Sequence, residues 1–127
     1  MSPTFLTLPE ALEIHRDQLA RYGGLDGVRD LGMLLSALAQ PRATFGGRFL
    51  HGDLFEMAAA YLFHIVQNHP FVDGNKRVGA VAALVFLLMN DQDIDASELE
   101  VESLVLAVAK GEIQKLAITE FLRDHAA

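Results

Sequence analysis

The feature that most constrains the fold is a pair of segments that are apolar nearly all round, joined by one short polar loop. The first begins near Leu54 and ends before Pro70, and the second runs from about Asn75 to about Asn90. A helix without a polar face belongs in the middle of a bundle, because other elements must cover every side of it. The uncharged run Val78 to Met89 is shorter than the roughly 20 residues that a membrane span needs. We therefore expect two buried core helices and no membrane segment.

Shorter amphipathic segments flank this pair on both sides. Apolar residues spaced three and four apart, with glycine, proline and capping-box signals, predict four further helices. We expect these helices at about Leu8 to Tyr22, Arg29 to Ala39, Ser97 to Gly111 and Lys115 to His125. The irregular stretch Pro41 to Gly52 is interpreted as either a plain connection or a mobile flap. The prediction is one all-α domain over residues 1–127, a compact bundle of about six helices with a short flap segment.

Composition narrows the classes of function that the chain can have. Hydrophobic residues make up 51% and charged residues 21%, which is an ordinary globular composition. The absence of cysteine excludes disulfides, thiolate metal sites and cysteine nucleophiles, and it favours a reducing compartment. A net charge of -7 argues against broad binding to nucleic acid, which needs a basic face. The N-terminus shows no signal-peptide pattern, so the cytoplasm is the expected location.

The polar loop between the two apolar helices carries the candidate chemistry. Gly74 permits a turn that most residues resist, and Asp73 is expected to cap the helix that follows. The first-turn amides of that helix should be unpaired, which makes its N-terminus an anion site. Lys76 and Arg77 fall in this turn, where the helix dipole makes each cation unfavourable by about 0.3–1 kcal/mol. A bound di- or triphosphate would relieve that conflict, and Asp73 offers an oxygen ligand for an accompanying Mg²⁺.

His69 supplies a candidate general base at the other end of the loop. Transfer of a phosphoryl or nucleotidyl group to a hydroxyl calls for a base at the attacking oxygen, and an imidazole suits that task near neutral pH. Phe71, the apolar residue of the loop, is expected to anchor it in the core. Spacing alone leaves a second interpretation open, in which the segment is a plain helix end followed by a common turn.

The segment from His69 to Arg77 resembles the signature of the Fic/Doc (Fido) family, written H-x-F-x-[DE]-G-N-x-R. Every fixed position of that pattern is present: His69, Phe71, Asp73, Gly74, Asn75 and Arg77. The similarity extends over almost the whole chain and is greatest to the short death-on-curing (Doc) toxin branch. The segments that carry it are Arg21-Tyr22-Gly23-Gly24, Arg29-Asp30-Leu31-Gly32, Phe45-Gly46-Gly47, Asp53-Leu54-Phe55-Glu56 and Gly111-Glu112-Ile113.

The resemblance implies a six-helix core with ATP bound at the signature loop. It implies that His69 deprotonates a Ser, Thr or Tyr hydroxyl of a target protein and that Asp73 helps to hold Mg²⁺. It further implies an anion hole around the phosphates, formed by Gly74, Asn75, Lys76 and Arg77. The stretch Pro41 to Gly52 matches the place where the family has its target-positioning flap.

Two positions distinguish among the activities of the family. The AMP-transferring branch usually has Gly where this chain has Lys76, and a second Arg where it has Ala80. Both differences are shared with Doc, so the resemblance implies transfer of the γ-phosphate of ATP to a threonine of elongation factor Tu, which would arrest translation. On this interpretation Lys76 and Arg77 act directly at the phosphates. The alternatives are an AMP transferase and a catalytically silent module that holds an antitoxin or another partner.

The sequence lacks the inhibitory helix motif [ST]-x-x-x-E-[GN] that some members of the family carry. The resemblance to the Doc branch therefore implies that a separate small antitoxin, similar to Phd, inhibits the toxin by docking a helix onto it.

Three histidines outside the loop are given no catalytic role. His64 lies five residues before His69, a spacing that helical metal-binding pairs do not favour, and is interpreted as a core histidine with a satisfied side chain. His15 lies on the apolar face of the first helix and is expected to bond to a neighbouring backbone group. His51 lies in the Pro41 to Gly52 stretch, where a solvated loop position is favoured over contact with a target.

Overall fold

The computed structural model describes residues 2–127, and most of them lie in six α-helices. A 3-10 turn at Gln40–Arg42 and two short strands, β1 at Thr44–Phe45 and β2 at Arg48–Phe49, connect the second helix to the third. The predicted all-α bundle of about six helices is confirmed. The helices are α1 (Leu8–Tyr22), α2 (Leu31–Ala39), α3 (Leu54–Asn68), α4 (Asn75–Met89), α5 (Glu98–Ala109) and α6 (Lys115–Asp124).

Helices α3 and α4 are the centre of the bundle, as their apolar sequences predict. Helix α3 packs against α2, α4, α5 and α6, and α4 also packs against α1 and α5. Gly79 permits the close approach of the central pair, since a Cβ there would lie 2.8 Å from Cγ2 of Val66 and 3.2 Å from the carbonyl oxygen of Leu62. Within residues 2–127 the structure has no helix long and apolar enough to cross a membrane. The signature loop therefore joins two helices that are held by the core.

The helix starts are formed by the side chains that the capping pattern predicts. Asp53 accepts a bond from the backbone N–H of Glu56, and Glu56 reaches back to the N–H of Asp53, which forms a capping box. Ser97 and Glu100 form the same box at α5. Each cap satisfies amides that the first turn of a helix leaves unpaired, so the predicted starts of α3 and α5 are confirmed.

The stretch Pro41 to Gly52 folds into a β-hairpin. Thr44 pairs with Phe49, and the turn at Gly46 and Gly47 has a positive φ at both residues, as hairpin turns of two residues prefer. The side chain of Phe45 at the hairpin tip is 80% exposed. The sequence showed little strand signal because strands of two residues are too short to show alternation. The role of this hairpin as a flap stays a prediction.

A polar cluster ties the hairpin to helices α3 and α6. Nζ of Lys115 lies 3.1 Å from Nε2 of His64 and 3.4 Å from Nε2 of His51. The prediction of a satisfied core histidine at His64 is confirmed for its hydrogen-bonding contact, but the side chain is only partly buried and lies outside the core. The prediction of a solvated His51 is wrong, because Lys115 contacts its ring and its Nδ1 is buried. Burial, aided by the Lys115 ammonium, lowers the pKa of His64 to about 4.

Candidate active site

The loop from His69 to Gly74 begins where proline stops helix α3. Pro70 cannot continue the helix, and His69 before it adopts a left-handed conformation with φ 50° and ψ 53°. The N–H of His69 bonds back to the carbonyl oxygen of Ile65 at 3.3 Å. A left-handed conformation costs a residue other than glycine on the order of 1–3 kcal/mol, so surrounding contacts must hold it. The result is a sharp turn with the His69 side chain on the exposed surface.

The stretch of residues 23–30, between α1 and α2, runs alongside the loop and holds it. The backbone N–H groups of Arg29 and Asp30 donate to the carbonyl oxygen of Pro70 at 2.7 and 3.0 Å. The N–H of Val72 donates to the carbonyl oxygen of Gly27 at 2.9 Å, and Val28 and Phe71 form an isolated antiparallel bridge. The sequence predicts the second helix from about Arg29, whereas α2 begins at Leu31 after the N-cap Asp30. Contact between this stretch and the loop is not predicted, since a segment without apolar periodicity carries no helix or strand signal.

Phe71 anchors the loop in the core, as predicted. Its side chain is 0% exposed, and its ring stacks on the imidazole of His15 with centroids 4.0 Å apart. Nε2 of His15 lies 3.0 Å from the backbone carbonyl oxygen of Asp73, which can only accept, so this nitrogen donates. The structural role predicted for His15 is confirmed, and the partner is the loop itself.

Asn75 closes the loop through its side chain. Its Oδ1 accepts from the N–H of Phe71 and its Nδ2 donates to the carbonyl oxygen of Phe71, both at 2.9 Å. The Asn75 side chain is buried, so both of its polar atoms are occupied inside the protein. The predicted contact of Asn75 with nucleotide phosphates can therefore involve only its backbone amide. The sequence does not predict this structural role of the Asn75 side chain, because its partner is a backbone group and backbone groups carry no sequence signal.

Asp73 does not cap helix α4, so that prediction is wrong. The N-cap is Gly74 with φ 85°, and the Asp73 carboxylate instead accepts from the N–H groups of Leu25 at 3.1 Å and Gly74 at 2.9 Å. The Leu25 N–H, followed by the Gly74 N–H, holds the pKa of Asp73 below its usual range. A Cβ on Gly24 would lie 2.9 Å from Oδ2 of Asp73, so glycine there keeps the carboxylate in place.

The ionised Asp73 fits the predicted Mg²⁺ ligand. Each of its oxygens accepts one N–H and keeps a lone pair, and the side chain is exposed. In the part of the chain that the structure describes, no group of three or more histidine and acidic residues could hold a metal ion. At nucleotides, Mg²⁺ takes one or two carboxylates and fills its other positions with phosphate oxygens and water, so a single exposed carboxylate is a sufficient protein ligand. The residues therefore suit a metal that arrives with a phosphate.

The N-terminus of α4 presents the charge conflict that the sequence predicts. Lys76 and Arg77 are exposed in its first turn, and no side chain within residues 2–127 caps that turn. The backbone N–H groups of this first turn point outward at the positive end of the helix dipole, and this arrangement attracts an anion. The Arg77 guanidinium lies over the ring of Tyr22, 4.8 Å from its centroid, which is within the range of a cation–π contact. Tyr22 follows the three-four apolar spacing of α1, but it is 55% exposed beside Arg77.

The chain is similar to known proteins over the part that contains this site. A sequence model described as Fic/DOC family matches residues 5–87. A protein of Escherichia phage P1 named protein kinase doc is 33% identical over 114 residues, covering 90% of this chain and 89% of the relative. A protein of Mycolicibacterium smegmatis named toxin Doc is 42% identical over 83 residues, covering 61% of this chain and 64% of the relative. The extent of the domain over residues 1–127 stays a prediction. With the signature loop between its two central helices, the chain belongs to the Fic/DOC family, in the branch of the Doc toxins.

Proposed function

We propose that this Doc-like toxin transfers the γ-phosphate of Mg²⁺-bound ATP to a threonine hydroxyl of a translation factor such as elongation factor Tu. Translation would then arrest in the cytoplasm of the affected cell. The observation that carries the proposal is that one loop brings three groups together. At its C-terminal end lie the ionised Asp73 carboxylate and the uncapped start of α4 with its two cationic residues, and at its N-terminal end lies the exposed imidazole of His69. Phosphoryl transfer needs these functions: an anion site, a metal ligand and a base.

The loop residues divide the chemistry between them. The free amides of the first α4 turn, with Lys76 and Arg77, hold the phosphate oxygens and offset the charge that develops on them. Asp73 would help to hold the Mg²⁺, which would add positive charge at the phosphates when bound. His69 accepts the proton of the target hydroxyl as that oxygen bonds to the γ-phosphorus, while the bond from that phosphorus to the bridging oxygen breaks and ADP leaves.

Lys76 and Ala80 support phosphoryl transfer over AMP transfer. Lys76 adds a side chain and a positive charge in the first turn, and Ala80, one turn later on α4, supplies no second arginine to clamp a phosphate. The name of the phage relative, protein kinase doc, supports the same choice. Incubation of the toxin with its target and ATP labelled at the α or the γ position tests it. Label that arrives from the α position would establish an AMP transferase instead.

The catalytic role of His69 is tested in living cells. Expression of the wild-type chain should arrest bacterial growth, and His69→Ala should remove the arrest, because the loop would then lack its base. His125→Ala is a matched control, since His125 caps the far end of α6 and bonds to Glu100. Undiminished arrest by His69→Ala would favour the alternative of a silent module that acts by holding a partner.

We further propose that a small Phd-like antitoxin inhibits the chain in trans. The relative named toxin Doc supports this pairing, because a toxin encoded without an inhibitor would arrest its own host. Co-expression with a small reading frame adjacent to the gene should restore growth. If no neighbouring frame restores growth, this partner assignment is wrong.

A further inference from the structure

Arg29 makes an unusual set of contacts with the residues that carry His69. It donates to three successive carbonyl oxygens: Nη2 to Asn68 at 2.9 Å, Nε to His69 at 2.6 Å, and its backbone N–H to Pro70 at 2.7 Å. These are the last residue of α3, the left-handed residue after it and the proline that stops the helix. One residue therefore fixes the orientation of three consecutive peptide groups at the end of α3.

The chemistry of an arginine suits this position. The last carbonyl oxygens of a helix have no partner within it, and the negative end of the helix dipole favours a cation there. A guanidinium is a planar fork whose donors are fixed relative to one another, so two bonds from it define a direction. A lysine ammonium is a point charge on a flexible stem and cannot define one.

We propose that Arg29 is a positioning residue that holds the His69 backbone in its left-handed conformation and so aims the imidazole at the target hydroxyl. This inference rests on the proposed function of His69 as the general base. A non-glycine residue in this conformation persists only where its surroundings hold it, and the guanidinium bonds its carbonyl group directly. Proton transfer depends on geometry, and an error of about 1 Å in placement lowers a rate on the order of 100-fold.

The nucleotide half of the loop does not depend on the Arg29 side chain. Asp73 is held by the N–H groups of Leu25 and Gly74, and its carbonyl group by His15. The Asn75 side chain fixes Phe71 separately. Removal of the Arg29 side chain should therefore disturb the base and leave the ATP site intact. This separation of rate from binding distinguishes positioning from a general loss of loop structure.

Arg29 is exposed, so its contribution to global stability should be small. Arg29→Ala is therefore expected to fold, and thermal melting of each variant checks this before any rate is compared. Arg29→Lys keeps the positive charge and the backbone N–H bond to Pro70 while it removes the fork. Arg16→Gln, at an exposed arginine on α1, is the matched control for the loss of one surface charge.

The experiment measures ATP affinity by calorimetry and the single-turnover rate of γ-phosphoryl transfer at saturating ATP, for the four proteins. Arg29→Ala should lose on the order of 100-fold in rate with ATP affinity within about twofold of wild type. Arg29→Lys should recover only a part of the rate, and Arg16→Gln should match wild type. In all active variants the acidic limb of the pH profile, which reports the base, should remain.

Three outcomes would overturn the inference. Rates of Arg29→Ala equal to wild type would show that the guanidinium does not position the base. A parallel loss of ATP affinity and rate in Arg29→Ala would show that Arg29 supports the structure of the whole loop. Full recovery of the rate by Arg29→Lys would show that the positive charge matters and the guanidinium geometry does not. A wild-type protein that transfers no phosphoryl group would instead refute the proposed function, and with it the positioning role of Arg29.

Discussion

Asn75 offers the sharpest test of what the signature loop is built to do. The asparagine of the signature looks like a ligand for phosphate, but its side chain is committed to the backbone of Phe71 by two bonds of 2.9 Å. Asn75 is 4% exposed and Phe71 is 0% exposed, so water cannot replace those bonds. Substitution of Asn75 by alanine should therefore destabilise the fold as a whole, and not only weaken the binding of a nucleotide.

The magnitude follows from the groups that lose their partners. Asn75→Ala leaves the N–H and the C=O of Phe71 buried and unpaired, and each unsatisfied group costs about 1–3 kcal/mol. The expected loss in the free energy of unfolding is thus about 2–6 kcal/mol. A domain of this kind has only about 5–15 kcal/mol in total, so the variant should be near the limit of folding.

Urea unfolding of the wild type and the variant, extrapolated to water, measures this loss. Asn68→Ala is the matched control, because the Asn68 side chain makes one exposed bond, to the carbonyl oxygen of Met33 at 3.0 Å. That control should lose about 1 kcal/mol or less. If Asn75→Ala loses less than about 1 kcal/mol, or no more than Asn68→Ala, then the side chain does not hold the loop and a direct role at the phosphates becomes the better explanation.

Three further predictions concern other parts of the molecule. Because burial lowers the folded-state pKa of His64 to about 4, while the unfolded chain titrates near 6.5, stability is lost as the pH falls from about 6.5 towards 4. Those two pKa values correspond to about 2 kcal/mol between pH 7 and pH 5, and solvent screening of the partly exposed ring reduces the expected loss to about 1 kcal/mol. Urea unfolding at the two pH values should show this dependence in the wild type and not in His64→Gln, and an unchanged dependence would refute it. Gly79→Ala should lower the free energy of unfolding by about 1–3 kcal/mol, because the new Cβ would be too close to Val66. Val66→Ala in a double variant should restore part of the lost stability, and a stabilised Gly79→Ala variant would contradict the packing argument. Tyr22→Leu should weaken ATP binding by about two- to fivefold, because Arg77 would lose the aromatic ring beneath it. Calorimetry compares this variant with Tyr22→Phe, which keeps a ring, and equal ATP affinities of the two variants would show that the ring has no effect.

Much of the architecture follows from local patterns in the chain. The apolar sequences of α3 and α4 predict two central helices, and the capping pairs at Asp53 and Ser97 predict where α3 and α5 begin. Pro70 predicts the end of α3. These features depend on residues that are close in sequence, so spacing and side-chain chemistry are enough to read them.

The family and the position of the candidate site can also be predicted from the sequence, because the signature from His69 to Arg77 is contiguous. The charge conflict of Lys76 and Arg77 at a helix start is a local property and indicates an anion site without any structure. The identity of the target hydroxyl is a property of another molecule, and the two cationic residues do not specify it.

Only the tertiary structure decided how the loop is held. The Asp73 carboxylate accepts from the N–H groups of Leu25 and Gly74. The Asn75 side chain bonds the backbone of Phe71, and Arg29 donates to the carbonyl groups around His69. Each of these contacts uses a backbone group, and every residue except proline has the same backbone groups. Which of them meet is determined by how the 23–30 stretch packs against the loop, and no spacing along the chain reports that.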